Sequence, residues 1–229
     1  MKYDFNNTDK LDKIKEEVYD KAYKGTSTIA AIFNDCVIVG TDTRVSAGYF
    51  IAHKKGRKLF SITPKIAMTI AGLVADAQSL VDVLKYNSKL YELKQNKSMS
   101  AKSAARLLSL ILHQNRFYPL YTELIIAGLD KNCFSVYRLD PLGSLINADY
   151  TATGSGTPYM IGFMEDNYKK NIDRNAGIKM ISKALLSAMR RDMGSGNDFD
   201  ILVIDKNGTY ELSREEKDSL LQASLDIST

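Results

Sequence analysis

Runs of extended-chain hydrophobic pattern follow one another along this chain and are broken by paired segments of helical period, and that order limits the fold more than any single residue does. Residues 26–33, rich in β-branched side chains, lead through Asn34-Asp35 into residues 36–41, a hairpin pattern that 49–53, 59–62 and 66–70 continue. After Gly72 the period becomes helical, with Val74, Ala77, Val81 and Leu84 on one face. A second helix follows Ser100, with Ala104, Leu107, Leu108 and Ile111 facing inward. Residues 124–129 and 134–139 form another hairpin, and 144–148 adds an adjoining strand. A late helix starts at the N-cap Asp173 and carries Ile178, Ile181, Leu185 and Ala188 toward the core, ending near Arg191-Asp192. Residues 201–204 and 210–212 then meet at Asn207-Gly208, a strong two-residue hairpin signal. Single βαβ units would alternate one strand with one helix. Strand blocks separated by helices predict instead an α+β chain of two antiparallel sheets flanked by helices.

At 229 residues, 45% hydrophobic and 25% charged, the chain has the size and composition of one large domain that needs no staples. It has no run approaching the ~20 apolar residues that cross a bilayer, so no membrane role is expected. The first 25 residues are dense in Lys, Asp and Glu and lack the apolar stretch of ~7 to 15 residues that a secretory signal requires. Within them Leu11, Ile14, Val18 and Ala22 recur at helical spacing, which predicts a short amphipathic helix able to dock on a partner. Two cysteines, Cys36 and Cys133, form no CxxC or Cys/His grouping, so a reducing cytoplasm is expected, with neither zinc nor disulfides. His53 and His113 are isolated, and no metal or cofactor is expected. The basic run Lys54, Lys55, Arg57, Lys58 has no interleaved aromatics and predicts no nucleic-acid platform. Most of it reads as a solvated turn, but Lys58 opens the apolar segment 59–62 and is expected to point inward.

The junction Gly25-Thr26 carries the chemistry. Were the bond before Thr26 cut, a single residue would supply both a hydroxyl nucleophile and a free amine, and an α-amino group titrating near ~7.7 to 8 can take the hydroxyl proton at neutral pH. A backbone amide cannot, so the uncut chain is latent by its own chemistry. Threonine is at home in any strand, however, and the dipeptide alone decides nothing.

The blocks around it do. Gly25-Thr26-Ser27-Thr28, Asp42-Thr43-Arg44, Lys58-Leu59-Phe60, Ala71-Gly72-Leu73, Thr153-Gly154-Ser155-Gly156 and Arg191-Asp192-Met193-Gly194-Ser195-Gly196, at these intervals, resemble the β subunit of the proteasome, most closely the archaeal type. The resemblance implies an N-terminal nucleophile hydrolase with a four-layer αββα sandwich. Residues 1–25 would be a propeptide, and 26–229 a catalytic domain that starts at Thr26 after self-cleavage between Gly25 and Thr26. Gly25 suits that step because a residue without Cβ leaves room for Thr26 Oγ1 to reach the preceding carbonyl.

By the same resemblance Lys58 stands beside Thr26 as an ammonium favouring a deprotonated nucleophile, Asp42 holds Lys58, and the Gly72 N–H faces the developing oxyanion. Ser155, Asp192 and Ser195 match a supporting polar cluster near the nucleophile; in isolation both Gly-Ser-Gly segments read as loops. Val45, Gly56, Phe60, Ile70 and Val74 match the pocket for the side chain before the scissile bond. None is charged, which predicts cleavage after hydrophobic residues. Thr157 departs from a frequent serine. The implied partners are homologous β subunits in a seven-membered ring, a ring of α subunits, an ATP-dependent unfoldase acting through the α ring, and unfolded protein substrates. Competing readings are a structural β-type subunit that cleaves nothing and the bacterial two-ring relative. The presence of Thr26, Lys58 and Asp42 argues against the first, and the Arg191–Gly196 block against the second.

Overall fold

Every residue of β1 (Ser27–Ile32) and of β2 (Val37–Asp42) is buried, so both faces of the first hairpin are covered. The computed structural model describes residues 25–47, 50–131 and 133–225. The helix expected over Leu11, Ile14, Val18 and Ala22 lies outside them, as does Tyr49. After β2 come the short β3 (Val45–Ala47) and β4 (Phe50–His53), then β5 (Leu59–Thr63) and β6 (Ile66–Gly72). Two helices follow, α1 (Val74–Gln95) and α2 (Ala101–Gln114), and then β7 (Thr122–Asp130), β8 (Cys133–Leu139), β9 (Leu145–Asn147) and β10 (Tyr150–Gly154). The chain continues through α3 (Thr157–Asn167), α4 (Arg174–Met189), β11 (Phe199–Asp205), β12 (Gly208–Glu211) and α5 (Arg214–Leu225).

One five-stranded sheet has the order β10-β1-β2-β11-β12, a second β5-β6-β7-β8-β9, and β3 pairs with β4 apart from both. All described pairings are antiparallel. Alternation along each strand explains the packing. In the first sheet Ile29, Ala31 and Ile38 pack with Met160 and Met164 of α3 and Ile181, Leu185 and Ala188 of α4. Their neighbours Ala30, Ile32, Val37 and Val39 pack instead with Leu59, Ala67, Ile125 and Ala127 of the second sheet. The opposite face of the second sheet, with Met68, Ile70, Leu124 and Ile126, packs on Leu80, Val81 and Leu84 of α1 and Ala104, Leu108 and Leu112 of α2.

Caps and ties fix the helices. The Ser103 N–H donates to Ser100 Oγ at 3.0 Å, the Ala101 N–H to Asp130 at 2.6 Å, and the Ala176 N–H to Asp173 at 2.9 Å. In α2 the fully buried positions include Ala105 and Leu112, while the expected Leu107 and Ile111 lie at the edge of the same cluster. Four elements were not expected. In β3 only three residues are extended, and β10 runs into a Gly-Ser-Gly segment that masks its strand pattern. In α3 only Met160 and Met164 are buried, too few to show a period, and Gly162 interrupts the segment. The α5 helix did carry a signal: Ser213 and Glu216 make a reciprocal capping box, with the Glu216 N–H on Ser213 Oγ and the Ser213 N–H on the Glu216 carboxylate.

No helix among the described residues is long and apolar enough to cross a membrane. Cys36 is buried, and burial together with Asp35 pushes its thiol up to about 12, while Cys133 is exposed on β8. Leu108 is fully buried between α2 and the second sheet. Leu108→Ala is expected to cost about 2 to 5 kcal/mol, measured as the free energy of urea unfolding of the unassembled subunit.

Candidate active site

The start of β1, the end of β2 and the approach to β5 converge at one end of the two sheets. Thr26, Asp42 and Lys58 meet there with exposures of 4%, 0% and 4%. The Asp42 carboxylate accepts four hydrogen bonds. Oδ1 takes the Lys58 ammonium and the Ser27 N–H, each at 2.8 Å. Oδ2 takes the N–H groups of Arg44 and Gly196, each at 3.0 Å. Burial pushes the Lys58 ammonium below the ordinary lysine range, with Asp42 opposing it. Burial likewise pushes the Asp42 carboxyl above the ordinary range, against Lys58 and the N–H groups of Ser27 and Gly196. Each charge therefore persists underground mainly because the other faces it.

Lys58 has a second partner. Its Nζ donates to the Gly25 carbonyl oxygen at 3.1 Å, and the Thr26 hydroxyl donates to that same oxygen at 2.6 Å. Two donors, one of them cationic, thus polarise the carbonyl that immediately precedes Thr26. Residue 25 has no space for a side chain: a Cβ there would lie 1.9 Å from Ser46 Oγ and 2.4 Å from the Gly194 carbonyl oxygen.

A second polar cluster lies on the other side of Thr26. The Thr26 N–H donates to Ser155 Oγ at 3.3 Å, and Ser155 Oγ lies 2.6 Å from Asp192 Oδ2. Ser195 Oγ reaches the same carboxylate oxygen at 2.5 Å and stands 2.6 Å from Ser27 Oγ. The register explains how Ser155 arrives: β10 pairs with β1 through Ser27–Gly154 and Thr28–Thr153, which brings the segment after β10 alongside Thr26. Thr157 Oγ1 donates to the Gly154 carbonyl at 2.7 Å and so closes that turn at the start of α3. The Gly-Ser-Gly segments are packed parts of the site rather than loose loops.

A cleft of about 730 Å³ opens beside Thr26. Val45, Gly56, Ile70, Gly72 and Val74 line it, together with Ala52 and Ala77. Gly72 holds φ at +104°, a backbone setting that side-chain-bearing residues rarely adopt, at the turn into α1. Phe60 is a correction. It packs against the α1–α2 face of the second sheet with Lys85 Nζ 5.7 Å from its ring centroid, and it does not line the cleft. Strand alternation accounts for this, because Leu59 takes the inter-sheet side and turns Phe60 the other way. The lining is also not wholly uncharged, since Lys55 and Arg57 stand at its edge.

Sequence reasoning missed two contributors. Arg44 donates from Nε to Asn197 Oδ1 at 2.8 Å and from Nη1 to the Met193 carbonyl at 3.0 Å, anchoring the turn that presents Asp192 and Ser195. Ser27 touches both clusters. Their positions inside the Asp42-Thr43-Arg44 and Gly25-Thr26-Ser27 blocks were the available signal. Asp42→Asn leaves the buried Lys58 ammonium without its counter-charge and is expected to cost about 3 to 5 kcal/mol in urea unfolding, part of which Lys58→Met on the same chain recovers.

Comparison with known proteins gives the family. The proteasome subunit family model matches residues 22–204, from before Gly25 into β11. The proteasome subunit beta of Archaeoglobus profundus is 40% identical over 208 residues, covering 90% of this chain and 97% of that protein. That of Methanococcus vannielii is 44% identical over 207 residues, covering 89% and 94% respectively. Proteasome subunit beta 2 of Hyperthermus butylicus is 42% identical over 200 residues, covering 87% and 94%. With a family match over most of its length and archaeal beta subunits aligned nearly end to end, this chain belongs to the proteasome subunit family.

Proposed function

We propose that this chain is a catalytic β subunit of an archaeal-type proteasome, a threonine endopeptidase that frees its own nucleophile by cutting between Gly25 and Thr26. The observation that carries the reading is the Gly25 carbonyl oxygen, held at 2.6 Å by the Thr26 hydroxyl and at 3.1 Å by Lys58 Nζ. In self-cleavage Thr26 Oγ1 bonds to the Gly25 carbonyl carbon, the Gly25–Thr26 C–N bond breaks, and the hydroxyl proton ends on the released nitrogen. Water then hydrolyses the ester, leaving residues 1–25 with a carboxylate terminus and residue 26 with a free amine. In peptide hydrolysis that amine takes the Oγ1 proton as the oxygen attacks a substrate carbonyl, and it returns the proton to the leaving amine. Water, giving a proton to the same amine, then releases the acyl group. The Gly72 backbone N–H is assigned to the oxyanion, and Lys58 to lowering the cost of a deprotonated Thr26. Ser155, Asp192 and Ser195 hold the amine through hydrogen bonds.

The apolar walls supplied by Val45, Ile70, Val74 and Ala77 favour a hydrophobic residue before the scissile bond. Lys55 and Arg57 at the edge oppose a basic one. The helix–sheet, sheet–sheet and sheet–helix clusters support the four-layer αββα arrangement of an N-terminal nucleophile hydrolase. Membership of the proteasome family supports assembly with other subunits; the arrangement proposed is a seven-membered β ring, capped by α subunits and fed unfolded protein by an ATP-dependent unfoldase in the cytoplasm.

Two experiments test this on particles coassembled with an α subunit. Thr26→Ala is expected to keep residues 1–25 attached by mass and to lose peptidase activity by more than ~10³-fold; unchanged activity contradicts the enzyme assignment. A panel of fluorogenic peptides is expected to be cut fastest after hydrophobic residues, and fastest cleavage after Arg or Asp contradicts the pocket assignment.

A further inference from the structure

Ser27 is fully buried, follows the nucleophile directly and has no part in the steps above. Its N–H donates to Asp42 Oδ1 at 2.8 Å, and its Oγ stands 2.6 Å from Ser195 Oγ. Proton counting sets the direction of the second bond, because a hydroxyl has one proton to give. Ser195 gives its proton to the Asp192 carboxylate, an acceptor-only group that makes the stronger, charge-assisted bond. Ser195 Oγ is then the acceptor, and Ser27 Oγ–H the donor. The same counting applies to Ser155, whose contact with Asp192 at 2.6 Å is shorter than its contact with the Thr26 carbonyl at 3.2 Å. Ser155 Oγ therefore accepts from the Thr26 nitrogen. Every proton in the cluster points toward Asp192 along two arms. One runs from Thr26 N through Ser155, the other from Ser27 Oγ through Ser195, and the arms begin at adjacent residues. Space for the Ser27 hydroxyl is kept by Gly156, where a Cβ would lie 1.8 Å from it.

We propose that Ser27 is a positioning residue whose hydroxyl, acting through Ser195 on Asp192, tempers the negative field at the Thr26 amine and keeps more of that amine unprotonated at neutral pH. The inference rests on the threonine-peptidase reading. Donation down the Ser27 arm spreads the charge of Asp192 and weakens what it presents to Ser155 and the nitrogen beyond. A weaker negative field stabilises an ammonium less, so the amine gives up its proton at lower pH. Removing the hydroxyl returns charge to the Thr26 arm and moves that titration upward. Among the described residues, the other charged groups at this end of β1 include Asp42 at the end of β2, Arg44 two residues beyond it, Lys58 before β5, and Glu123 of β7, which accepts the Gly154 N–H at 3.3 Å. None of these lies on the Ser27–Ser195–Asp192 arm.

The test uses Ser27→Ala and Ser27→Thr in assembled particles whose mass shows the loss of residues 1–25, with kcat, KM and the pH–rate profile read on a fluorogenic peptide. The alanine variant is expected to lose roughly threefold to tenfold in kcat at pH 7 with KM unchanged, and its acid limb should move to higher pH. Threonine, which restores the hydroxyl, should return both toward the parent. An unmoved acid limb in Ser27→Ala, or a threonine variant as impaired as alanine, overturns the proposal. If the alanine variant does not assemble, the near-isosteric Ser27→Cys, a weak donor, is read by the same limb. Parent particles without peptidase activity would instead remove the underlying enzyme assignment.

Discussion

A buried carboxylate with four donors organises this protein. Asp42 ties the Lys58 ammonium, the start of β1, the segment that follows β2 and the turn after α4 to one point, through bonds of 2.8 to 3.0 Å. An unpaired charge at that depth is costly, so the segments are held together by the penalty for separating them as much as by attraction. Thr26 inherits its place from this arrangement, since its neighbour Ser27 is anchored to Asp42. Burial of the pair also holds the Lys58 ammonium below the ordinary lysine range, with the Gly25 carbonyl oxygen 3.1 Å away.

The two sheets supply rigidity where this convergence needs it. Their facing residues are small and branched, Ala30, Val37, Val39, Ala67 and Ala127 among them, which allows close approach of the sheets. Nearer the site the inter-sheet layer turns polar: Thr69 Oγ1 donates to Thr28 Oγ1 at 3.0 Å, and Thr28 Oγ1 lies 2.6 Å from Thr153 Oγ1. Thr26 thus sits where an apolar interior gives way to hydrogen-bonded hydroxyls, beside the cleft. On the proposed reading the uncut chain is latent, because the nitrogen that would serve as base is occupied in a peptide bond.

Much of this was legible from residues alone, and for physical reasons. The strands that bury both faces announced themselves as β-branched runs, and α4 as a clean helical period opened by its N-cap Asp173. Thr26, Asp42 and Lys58 are far apart in sequence but meet because β1, β2 and β5 end at one edge, which ordered motif blocks reveal and periodicity does not. Phe60 shows the limit. Motif position placed it in the pocket, whereas strand alternation sends its ring to the α1 face. The strand β10 and helix α3 hid behind glycines that look like loop signals; Gly154 and Gly156 are closely packed, whereas a Cβ at Gly162 would meet nothing. Ser27 was overlooked because its importance lies in hydrogen-bond direction, which no spacing encodes.

The account turns on a free Thr26 nitrogen serving as the base. Intact mass of the subunit recovered from peptidase-active particles measures this directly. A mass lacking residues 1–25 is the predicted result. Particles that digest peptides while every subunit retains those residues would contradict it.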